Sequence, residues 1–92
     1  MNEMRRYRKR PVVVQAIRWE PNERRPPLPR KFCRRHLWTR KWQIVTLEGW
    51  VNMAPGDWIV RGVVGDLYPI KHHVFQVTFD ELNRWQREAQ KS

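Results

Sequence analysis

Two runs of this chain mix cations with flat side chains at a density that suits nucleic acid. The first is Arg5-Arg6-Tyr7-Arg8-Lys9-Arg10, and the second runs from Arg30-Lys31-Phe32-Cys33-Arg34-Arg35 through His36-Leu37-Trp38-Thr39 to Arg40-Lys41-Trp42. Lys and Arg neutralise phosphates, and aromatic rings stack on unpaired bases whatever their identity. The expected phosphate contacts are Arg5, Arg6, Arg8, Lys9, Arg10, Arg30, Lys31, Arg34, Arg35, Arg40 and Lys41. Tyr7, Trp38 and Trp42 are the candidate stacking side chains, and no sequence-specific readout is implied. The competing reading turns Phe32, Trp38 and Trp42 into a core and leaves the charges to water.

Other chemistry has less support. The single serine is Ser92, and Glu48, Asp57 and Asp66 stand beside turns, where acids commonly serve solvation or local hydrogen bonds. Asp57 and Asp66 would act as acid and base only if folding brought them into one cleft. Cys33 and His36 with His72-His73 supply enough donors for zinc, but structural sites use paired ligands at short spacing, and adjacent histidines of a strand point to opposite faces. Gly62-Val-Val-Gly65 has the spacing of the clamp loop of KH domains, yet that loop joins two helices and this one falls between two strand-like runs. No phosphate-loop or dinucleotide fingerprint is present. The expectation is a non-enzymatic protein with no metal and no cofactor.

Charge agrees with this. Fourteen of the nineteen Lys and Arg lie in residues 1–41 with three of the nine acids, so a strongly basic part precedes a nearly neutral one within a formal net charge of +10. Such asymmetry suggests an anionic partner: nucleic acid, an acidic protein or a membrane surface. The apolar runs are far shorter than the ~20 residues of a spanning helix, and the basic start leads into no signal-type apolar core. One cysteine excludes an intramolecular disulfide. A soluble, cytoplasmic protein is expected.

The elements that must position these residues follow from pattern. Ninety-two residues allow one small domain. Residues 1–10 read as a flexible basic arm and 11–92 as the domain. Val12–Trp19 is a β-branched strand opened by Pro11. Residues 20–41 form a basic, proline-rich insertion with some polyproline character, ending in a short helix over Lys31–Lys41; its prolines also admit an SH3-type ligand. Further strands fall at Trp42–Leu47, Trp50–Met53, Trp58–Arg61 and Asp66–Ile70, separated by Glu48-Gly49, by Ala54-Pro55-Gly56-Asp57 as a type II turn, and by Gly62–Gly65. His72–Val77 reads as irregular or extended. Thr78-Phe-Asp-Glu81 has the layout of a capping box for a helix over 79–89, with Phe79, Leu82 and Trp85 on one stripe. The fold class expected is mainly β (α+β): a small antiparallel five-stranded meander or partly open barrel with a C-terminal helix packed on it.

Tyr7-Arg-Lys-Arg-Pro-Val-Val-Val14 and Pro55-Gly-Asp-Trp-Ile-Val-Arg-Gly-Val-Val-Gly-Asp-Leu-Tyr-Pro-Ile-Lys71, with Phe75 beyond, resemble a group of small, mostly uncharacterised phage and prophage proteins. The resemblance covers about Tyr7 to Phe79 and implies origin rather than activity. The Pro- and Arg-rich residues after Trp19 and the His72-His73 pair depart from that pattern, so the basicity belongs to this member. The sequence thus favours a phage-type accessory protein, in the host cytoplasm, that binds DNA or RNA through its basic half. The alternatives are an effector that binds an acidic host protein, using the meander edge or an aromatic patch including Trp50 and Trp58, and a small nucleotide-binding protein.

Overall fold

Residue pattern and turn chemistry locate five of the six strands found in the computed structural model, which describes residues 3–8 and 11–82. The strands are β1 (Gln15–Arg18), β2 (Cys33–Arg35), β3 (Trp42–Thr46), β4 (Gly49–Met53), β5 (Trp58–Arg61) and β6 (Leu67–Ile70), followed by helix α1 (His72–Thr78). They do not form the expected five-stranded meander or a closed barrel. Two three-stranded antiparallel sheets pack together instead, ordered β2-β3-β4 and β1-β5-β6. The inner faces meet in a core of Trp19, Cys33, Ile44, Met53, Ile59 and Leu67, with Leu28, Phe32 and Trp42 against it.

The division falls where β4 hands over to β5. Ala54-Pro55-Gly56-Asp57 is the expected tight turn: Asp57 N–H donates to Ala54 O at 3.0 Å, and Gly56 has φ +96°. The turn carries the chain across to the other sheet, because its backbone is claimed by the end of β1. Gly56 N–H donates to Trp19 O at 2.6 Å, and Trp19 N–H donates to Asp57 O at 2.9 Å. The Asp57 carboxylate, buried, accepts from Ala54 N–H at 2.9 Å and from Lys71 Nζ at 3.1 and 3.2 Å. One acid thereby ties the turn to the residue that follows β6. The β3–β4 hairpin closes through Leu47-Glu48, with Gly49 at φ +107°.

Other expectations need correction. The first strand is confined to Gln15–Arg18, since its partner β5 has four residues and leaves the ladder at Gly62; Val12 and Val13 are exposed, and Trp19 turns into the core. The helix expected over Lys31–Lys41 is a single 3-10 turn (Arg30–Phe32), then β2, then a loop. Pairing along β3 gives Cys33, Arg34 and Arg35 ladder partners that a helix would forfeit. The C-terminal helix occupies His72–Thr78, the stretch expected to be irregular. Thr78 is its last residue, and its hydroxyl donates back to Val74 O at 2.7 Å rather than capping a new helix; Phe79 is already extended. Residues 80–82 are not helical, and 83–89 of the expected helix lie outside the described residues. Helix α1 lies on the outer face of β1-β5-β6, where the Phe75 ring stacks on Trp58 at 3.9 Å and Trp58 Nε1 donates to His72 Nδ1 at 3.0 Å. Among the described residues no helix is long and apolar enough to cross a membrane.

Candidate nucleic-acid interface

The β2–β3 hairpin gathers Arg34, Arg35, Trp38, Arg40, Lys41 and Trp42 from the second basic run. Its loop is held by its own polar groups. His36 N–H donates to Lys41 O at 2.8 Å, Arg40 N–H donates to His36 O at 2.9 Å, and His36 Nδ1 accepts from the Trp38 and Thr39 amides at 3.2 Å each. Arg40 takes the left-handed conformation at φ 63° that lets the loop close. The result is a compact turn with its side chains outward: Trp38 is 85% exposed, and Arg40 and Lys41 are exposed beside it.

Trp42 behaves differently from Trp38. It is half-buried and meets Trp19 edge to face, with centroids 6.4 Å apart. The guanidinium groups of Arg25 and Arg35 lie 5.7 and 5.3 Å from the centre of its ring. Two arginines and the core thus share this indole, leaving Trp38 as the open aromatic of the hairpin. A cavity of about 330 Å³ beside Trp42 is lined by Arg40, Lys41 and Lys71 as well as by Trp19, Asn52 and Met53. Lys71 is already paired with Asp57, so Arg40 and Lys41 are the two cations through which this concavity suits an anionic oxygen.

On the outer face of the same sheet, strand register sets Arg34, Gln43 and Asn52 in one row and Val45 beside Trp50 in the next. Arg34 Nε donates to Gln43 Oε1 at 3.0 Å, and Gln43 Nε2 donates to Asn52 Oδ1 at 2.9 Å. The Arg34 guanidinium also lies 4.3 Å from the centre of the Trp50 ring. Among the described residues, the side-chain ion pairs are Arg18 with Glu20 and Lys71 with Asp57. The hairpin cations have no carboxylate partner within that set.

The remaining expected contacts are dispersed. Arg30 and Lys31 are exposed on the 3-10 turn leading into β2, with Lys31 over the Phe32 ring at 5.0 Å. Arg5, Arg6, Tyr7 and Arg8 are exposed, and no hydrogen bond, ion pair or ring contact joins them to the hairpin among the described residues; Lys9 and Arg10 lie outside those residues. Arg25, Lys71, Gln43 and Asn52 were not singled out from the sequence. Arg25 belonged to the same charge excess, whereas Lys71, twenty-nine positions beyond Trp42, carried no local signal. Cys33 is buried with Sγ 3.6 Å from Pro29 O, and Asp57 is committed to its turn. Comparison with protein-family models, curated proteins and solved structures returned no match.

Proposed function

We propose that the protein is a small accessory protein of phage type that binds nucleic acid, DNA or RNA, through the β2–β3 hairpin and without sequence readout. One observation carries the reading: Arg34, Arg35, Arg40 and Lys41, together with the open Trp38, fold onto a single hairpin, and Arg25 and Lys71 join them from distant parts of the chain. Phosphates supply the negative charge that the hairpin cations lack among the described residues, where Lys71 is already paired with Asp57. The hairpin is the docking element, and the exposed arginines of residues 3–8 add sequence-independent attraction.

Binding through phosphates releases counterions, so affinity falls steeply with salt, by about 0.7–0.9 in logarithmic slope per phosphate neutralised. A titration of fluorescent oligonucleotides at several salt concentrations should give a slope of about −3 to −5. Replacing Lys41 with Ala and Arg40 with Gly, which suits the left-handed backbone, should lower that slope by about 2 without loss of fold. No affinity, or an affinity indifferent to salt, overturns the reading. A stoichiometric protein partner recovered from nuclease-treated lysate would favour host-protein binding instead.

A further inference from the structure

The outer face of β2-β3-β4 has a property the hairpin cations do not explain. Its cross-strand row is a directed chain of hydrogen bonds. Arg34 donates a hydrogen bond to Gln43, and Gln43 donates one to Asn52, so the side-chain oxygen of each amide accepts one. At its exposed ends the row offers N–H, from the remaining guanidinium protons at one end and the Asn52 amide at the other, beside the one lone pair that Asn52 Oδ1 keeps. The row crosses two strand spacings, about 10 Å in all. Beside it lies the Trp50 indole, 37% exposed, with the Arg34 guanidinium against its ring.

We infer that single-stranded nucleic acid lies across this face, one base stacking on the Trp50–Arg34 pair while its carbonyl or ring-nitrogen acceptors meet the Arg34 and Asn52 donors. This rests on the nucleic-acid reading above and names its substrate class. The choice of occupant follows from charge and from chemistry. The adjoining hairpin attracts a polyanion, and the face combines a flat π surface with exposed N–H donors that remain after the row's own hydrogen bonds are made. An unpaired base supplies both a free ring face and free acceptor edges. In a duplex the ring faces are stacked and the pairing edges are used, so the hairpin cations alone would engage it, through phosphates.

The test uses the full chain with three probes at fixed salt: a single-stranded DNA of about fifteen nucleotides, the RNA of the same sequence, and the DNA duplex. The intact protein should bind one or both single strands more tightly than the duplex. Trp50→Ala should weaken single-strand binding about 5- to 100-fold and leave duplex binding unchanged, and Trp50→Phe should restore most of the loss. Because duplex binding reports the hairpin, a variant that merely unfolds loses both and is recognised by its melting curve. Equal affinity for duplex and single strand, or a folded Trp50→Ala variant with unaltered single-strand affinity, overturns this inference and leaves the hairpin reading standing. A folded variant that loses both kinds of binding equally also overturns it, since Trp50 would then act by holding Arg34. No binding to any probe removes the underlying reading itself. A preference between the two single strands identifies whether the partner is DNA or RNA.

Discussion

At the scale of single residues, buried polar atoms explain more of the structure than exposed charges do. Asp57 holds the turn between the sheets, accepting from the Ala54 amide and from Lys71 while its backbone bonds Trp19. Asp57→Ala would leave the Ala54 N–H without its acceptor, a loss of about 1–3 kcal/mol, to be read as a lower denaturation midpoint with unchanged slope. The arginines have two occupations. Arg34 and Arg35 lie over Trp50 and Trp42 as well as offering charge, so their removal exposes ring surface in addition to weakening binding. Arg40 and Lys41, on the loop alone, separate the two effects. The sequence marked all four as a charge run; it did not show which of them were anchored.

At the scale of elements, legibility followed the strength of local preference. Strand β1 was visible within its β-branched run, and β3 to β6 because β-branched and aromatic residues alternate between glycine-bearing turns that fix short antiparallel connections. Strand β2 was not, since Cys33-Arg34-Arg35 has no β-forming side chain and owes its conformation to the edge of β3. Helix α1 was hidden for a similar reason. Its seven residues include Val74, Val77 and Thr78, it has no side-chain cap, and it is far too short to stand alone. It is held by the Phe75 ring on Trp58 and by the Trp58–His72 hydrogen bond. Phe75→Ala should therefore destabilise the domain by about 1–3 kcal/mol and raise amide exchange across residues 72–78 well before the rest of the chain opens. The same reasoning covers the candidate site. Its charges were legible, but their convergence with Arg25 and Lys71 depends on packing between segments far apart in the chain.

At the scale of the whole molecule, the division into two sheets separates a basic, polar face from an apolar one. The meander expectation failed here because a tight turn between two strands permits either pairing or crossing, and the choice was made by Trp19, some forty residues earlier. That long-range pairing also sets an order of assembly. Strands β2, β3 and β4 close through neighbouring hairpins, as do β5 and β6, whereas β1 reaches β5 from Gln15 to Arg61 across the entire proline-rich segment. Loop closure makes such a contact slow to form, so the hairpins should constitute the folding nucleus and β1 should dock after the barrier. In stopped-flow kinetics Ile17→Ala should chiefly accelerate unfolding, and Ile44→Val should chiefly retard folding. A chain emerging from the ribosome presents its first strand early, but that strand must wait for the fifth to be synthesised. Until then Trp19 at its end, which the folded protein buries, stays open to water, and the basic run before it is the part of the nascent chain best able to keep it in solution.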